Sequence, residues 1–229
     1  MIAHVAVVPH PPLLVPEISP GAAPELTELR EACLTAVRRL GDRWIAVGAH
    51  TEDLVVGPGV AGSFRGYGVD VQVSLAEGSQ PEQVLPLPAL VAGWLREQAG
   101  ASQAEVYLVA DSTPAHDCAA LGEWLSDHGA NGLLVLADGS NRHGPKSPGS
   151  EDERAPGFDD AVAKALAKAD TDALLALDPA QARALGAGGV VPWQVLAGTG
   201  GDWHAELLYS DAPFGVGYHV AVWERLSAL

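Results

Sequence analysis

The first eighteen residues constrain this chain more than any other stretch. Residues 2–8 are apolar and rich in branched side chains, the composition of a strand buried on both faces of a parallel sheet. The strand cannot continue, because Pro9, Pro11 and Pro12 have no amide hydrogen to give to a ladder. His10 is therefore held on a stiff turn at the carboxyl end of a strand, the edge where open α/β sheets take their ligands.

A second unit repeats the pattern. Residues 23–40 carry Leu26, Leu29, Ala32, Cys33, Ala36, Val37 and Leu40 at helical spacing, with Gly41 as the stop. Residues 44–49 then form another buried strand, and it too ends in a histidine, in Gly48-Ala49-His50-Thr51-Glu52-Asp53. Strand, helix and strand make a βαβ unit, whose right-handed crossover brings both strand ends to one edge of the sheet. Two histidines delivered to the same edge point to a site.

Beyond this unit, helices are expected over residues 87–99, 158–169 and 179–185, with another beginning near 192–196. Strands are expected over 105–110, 133–137, 203–209 and 216–223. Asp111-Ser112-Thr113-Pro114-Ala115-His116-Asp117-Cys118 reads as a helix start, with a hydroxyl cap and proline in the first turn. Gly57-Pro58-Gly59-Val60-Ala61-Gly62 matches the dinucleotide fingerprint in letters only. The fingerprint needs a helix next, whereas Gly66, Gly68 and the alternating Val69-Asp70-Val71-Gln72-Val73 follow, which is hairpin chemistry. Residues 144–157 are a long polar loop rooted at His143, expected to act as a lid. The fold expected is a single three-layer α/β/α domain spanning residues 1–229, with a mixed, mostly parallel sheet.

Charge narrows the ligands. Thirteen basic against 29 acidic residues give a net charge of −16, which disfavours nucleic acid and other polyanions unless a metal supplies positive charge. Two cysteines are too few for a disulfide framework or a thiolate zinc site. With no basic leader and no apolar run of membrane-spanning length, a reducing cytoplasm is the expected setting. No Gly-x-Ser-x-Gly elbow and no Walker loop is present.

Two neutral imidazoles and one carboxylate on one face of an ion leave positions open for substrate and dioxygen. His10 and His50 supply the imidazoles. Glu52, Asp53, Asp138, Glu206 and Asp211 are all available as the carboxylate. Glu206 lies within an otherwise apolar strand, where an unpaired charge would be costly unless a metal or a salt bridge met it.

Pro9-His10-Pro11-Pro12-Leu13-Leu14-Val15-Pro16-Glu17, Gly48-Ala49-His50, Gly200-Gly201-Asp202-Trp203-His204-Ala205-Glu206 and Ala212-Pro213-Phe214-Gly215-Val216-Gly217-Tyr218 resemble the class III extradiol ring-cleavage dioxygenases. More narrowly, they are similar to the catalytic-subunit branch related to protocatechuate 4,5-dioxygenase and the Memo-like proteins. The resemblance implies Fe(II), or alternatively Zn2+ or another divalent ion, held by His10, His50 and Glu206. It implies a small aromatic diol and O2 as substrates, with a homo-oligomer or a small partner subunit. It places the acid/base histidine at His143, with His116 or His204 as the substitutes. Memo-like relatives have a cysteine among their metal-site residues where Glu206 stands here, and a binding protein without turnover is the implied alternative. A Zn2+-dependent hydrolase built on the same three residues is the third. His4, His128 and His219 are expected to serve structure alone, and Cys33 and Cys118 to pack as small hydrophobes.

Overall fold

The computed structural model describes residues 1–21, 24–80 and 83–226. The expected βαβ opening is present: β1 (His4–Val8), α1 (Pro24–Val37) and β2 (Arg43–His50). Next come β3 (Leu54–Val56), β4 (Ala61–Ser63), β5 (Gln72–Ser74), α2 (Leu87–Ala99), β6 (Gln103–Ala110), α3 (Ala115–Ser126) and β7 (Gly132–Leu136). The chain continues through α4 (Ala155–Lys168), α5 (Thr171–Leu175), α6 (Pro179–Ala184) and α7 (Val190–Ala197), and ends in the hairpin β8 (Trp203–Asp211) and β9 (Tyr218–Arg225). β4 and β5 pair as a separate two-stranded ribbon around residues 64–67, so the glycine-rich stretch is a hairpin excursion and not a phosphate loop.

The main sheet has seven strands in the order β3-β6-β2-β7-β1-β9-β8. Its centre, β6-β2-β7-β1, is parallel throughout. The antiparallel pairs lie at the flanks, β3 on one side and β9 with β8 on the other. This is the expected α/β fold with a mixed sheet.

Alternation along each strand divides the core into two layers. Even-numbered residues of the central strands (Ala6, Val8, Ala46, Val106, Leu134 and Leu136) pack with α1 and α2. Odd-numbered ones (Val5, Val7, Ile45, Val47, Leu133 and Val135) pack with α3, α4 and α7. Burial on both faces explains why these strands read as unbroken apolar runs. Gly48 lets α2 approach closely, since a Cβ there would lie 2.7 Å from Pro88 Cβ.

Candidate functional site

Strand order assembles the site. β7 lies between β1 and β2, and Leu136 is level with Val8 on one side and Gly48 on the other. Continuing both registers by two residues past the paired segment puts His10, Asp138 and His50 at one level, all on the α1–α2 face by alternation. Extending the β1–β9 register by three residues adds Tyr218 next to His10. The carboxyl edge therefore carries a row His50–Asp138–His10–Tyr218.

Asp138 is tied directly to His10. Its Oδ1 accepts the His10 backbone N–H at 2.9 Å, and its Oδ2 lies 3.5 Å from His10 Nδ1. Both side chains are largely covered, 14% exposed for His10 and 23% for Asp138. His10 Nδ1 is buried without a hydrogen-bond partner. Burial, with the negative charges of Asp138 and Tyr209 adding, pushes the Tyr218 hydroxyl well above the usual phenol range. Burial first and Asp138 second push the Cys33 thiol of α1 up in the same way. Cys33 thus packs as a protonated small hydrophobe. On the opposite face of the sheet, residues 49–51 at the strand end line a cavity of about 390 Å³ walled by Ala182, Arg183, Ala187, Val190 and Val191.

Two imidazoles and one carboxylate in one row suit a divalent ion by donor type, and the buried His10 Nδ1 faces the Asp138 carboxylate without a hydrogen bond. At their present side-chain positions, no three His, Cys, Asp or Glu groups among the described residues converge on one point. The fit is therefore one of row, face and donor chemistry.

Glu206 is not brought to this row. It shares the α1 face but is level with Val222 and, through β9, with Ala6, four residues short of His10. At the rise of a strand that is about 13 Å along the sheet. Its Oε2 instead accepts from Arg39 Nη1 at 2.9 Å, with half of the side chain exposed. That salt bridge meets the charge.

His143 is also directed elsewhere. Its Nε2 bonds Asp159 Oδ2 on α4, and it lines a separate cavity with Asp159 and His219. His116 is 81% exposed beside Asp117, and His204 is exposed on β8. The expected lid is folded onto itself and onto the β8–β9 turn through Gly149 N to Asn141 O, Asp152 N to Arg142 O and His143 N to Gly215 O. Asp159 went unnoticed in the sequence, yet a signal was there. It sits in the buried stripe Phe158, Val162, Ala165 and Leu166 of α4, where an aspartate demands partners.

The sequence model of a protein family described as the catalytic LigB subunit of aromatic ring-opening dioxygenase matches residues 102–221, just over half of the chain. The chain belongs to this family. The LigB match takes in Asp138 and Tyr218, while His10 and His50 lie before it. LigB proteins are in general dioxygenases that use a metal ion, act on aromatic substrates with O2 and often oligomerise. The fold is similar to that of uncharacterized protein JW3007 from Escherichia coli K12, with a TM-score of 0.55 at 12% identity over 97% of this chain and 99% of that one. No curated protein matches the LigB-family chain described here. No helix among its described residues is long and apolar enough to cross a membrane.

Proposed function

We propose that this LigB-family chain is an Fe(II)-dependent dioxygenase that opens a catechol-type ring beside one of its hydroxyls, with His10, His50 and Asp138 as the metal-binding residues. The observation that carries this is the contact of Asp138 with His10, at a sheet edge where the continued register of β2 and β7 sets His50 level with Asp138. Asp138 replaces Glu206 in this proposal because Glu206 is in an exposed ion pair at a different depth of the sheet.

When bound, the ion would serve as template and electron conduit between diol and O2. The chain's own groups do the rest. The Pro9-Pro11-Pro12 turn fixes the backbone around His10, and Asp138 holds that turn through the His10 N–H. Tyr218 keeps its proton because it is buried near Asp138, so its hydroxyl is available as a donor to a substrate oxygen. We assign His143 and His116 no step in ring cleavage, since one is engaged with Asp159 and the other faces solvent.

The test is anaerobic reconstitution with Fe(II), addition of a panel of catechols and admission of O2, following the absorbance of the ring-opened product. Cleavage by the wild type, lost in His10→Ala and His50→Ala, is expected. Equal cleavage by those variants would overturn the assignment.

A further inference from the structure

On the opposite face of the sheet, a second group of side chains has the parts of a nucleophilic site. Ser210 of β8 stands across from His219 of β9, and its Oγ lies 3.0 Å from His219 Nδ1. His219 Nε2 lies 3.1 Å from Asp159 Oδ1. His219 and Asp159 are 1% and 5% exposed, whereas Ser210 is open to solvent.

With Asp159 ionised and His219 neutral, the proton positions follow from the donor and acceptor inventory. A carboxylate can only accept, so the hydrogen between Asp159 and His219 sits on Nε2. A neutral imidazole protonated at Nε2 has its lone pair on Nδ1, and that nitrogen faces Ser210. The hydroxyl must therefore be the donor in the Ser210–His219 bond, which is the arrangement a base needs to take its proton. Asp159 is itself held in place. Its two oxygens accept from Ser140 N at 3.1 and 3.3 Å, and His143 is bonded to Oδ2. Gly139 and Gly217 permit this close approach, since a Cβ at either position would overlap the carboxylate.

A cavity of about 220 Å³ opens here, lined by Ser210, His219, His143, Pro156, Asp160 and Asp211. It takes in none of His10, His50 and Asp138. Asp160 and Asp211 are exposed carboxylates that disfavour an anionic ligand, and the small volume excludes a large one. Nucleophilic triads are recognised by geometry and roles rather than by sequence position, so the missing Gly-x-Ser-x-Gly elbow does not exclude one.

We propose that Ser210, His219 and Asp159 form a second catalytic site, a triad that hydrolyses small neutral or positively charged acyl esters. Ser210 Oγ forms a bond to the carbonyl carbon as its proton passes to His219 Nδ1. The bond from that carbon to the alkoxy oxygen then breaks, and the leaving oxygen takes the proton from Nδ1 and departs as the alcohol. Water attacks the acyl-serine, His219 accepts its proton and returns it to Ser210 Oγ, and the acid is released. Asp159 orients the imidazole and stabilises its protonated form.

The experiment uses the full chain without added metal or catechol, so its outcome is independent of ring cleavage. The protein is treated with phenylmethanesulfonyl fluoride and mapped by mass spectrometry, and p-nitrophenyl acetate hydrolysis is followed in parallel. A single sulfonyl adduct on Ser210 is expected, with the hydrolysis rate falling about 100-fold or more in Ser210→Ala. Ser210 is exposed, so this variant keeps the fold. No adduct on Ser210, or hydrolysis by Ser210→Ala at the wild-type rate, would overturn the proposal and leave the cluster a structural clamp.

Discussion

Replacing Asp138 with Asn and, separately, Glu206 with Gln distinguishes the two candidate carboxylates. Asp138 lies in the row with His10 and His50, whereas Glu206 is bonded to Arg39 on the surface. Changing residues that merely support a metal ligand costs about 10–100-fold in affinity, so loss of a ligand should cost about 100-fold or more. An ion at about 100 times its dissociation constant stabilises the folded state by about 2.7 kcal/mol. If Asp138→Asn weakens binding about 100-fold, the same ion concentration adds only about 0.4 kcal/mol. For a chain of this length, each kcal/mol moves the melting temperature by about 2–4 °C. The wild type should therefore gain about 5–11 °C on anaerobic addition of Fe(II), and Asp138→Asn about 1–2 °C. Glu206→Gln should gain as much as the wild type, and without metal it should lose no more than about 1 kcal/mol, the scale of a surface ion pair. Differential scanning calorimetry with and without the ion reads all three proteins. A full metal-induced shift in Asp138→Asn, or its loss in Glu206→Gln, would refute the placement of the third ligand on β7.

Two further predictions concern stability. Asp159→Asn leaves two imidazoles, His143 and His219, and the Ser140 N–H without their common carboxylate in a buried site, and should cost about 3 kcal/mol or more. Urea unfolding that shows a loss under 1 kcal/mol would contradict the role given to this residue. The second is alkaline sensitivity. Burial raises Cys33 far above its ordinary value, Cys118 to about 11 and Tyr107 to about 12, and Tyr218 is raised as well. Each group keeps its proton in the folded chain at a pH where the unfolded chain has released it, so their contribution is complete below the ordinary cysteine value of 9.0. It declines as pH climbs towards the raised values, so the urea midpoint should fall steadily from pH 8.5 to 10.5, and a flat or rising midpoint would count against it.

Periodicity is local, and what rests on it could be read from the chain. Branched apolar runs stopped by Pro9 or by Gly48-Ala49-His50 define strands, the stripe from Leu26 to Leu40 defines a helix, and their succession defines a βαβ unit. That much placed His10 and His50 at one edge. Strand order and register are non-local, because they are chosen by which faces can be buried together. Asp138 becomes the neighbour of both histidines only because β7 inserts between β1 and β2. Glu206 misses them because the antiparallel register of β8 and β9 sets its depth, and Arg39 then satisfies its charge. His143 is turned to the far face by Asp159, sixteen residues away on α4, and Ser210 meets His219 only across the hairpin. Local residue patterns fixed which groups reach the sheet edge, and packing between distant segments fixed which of them meet.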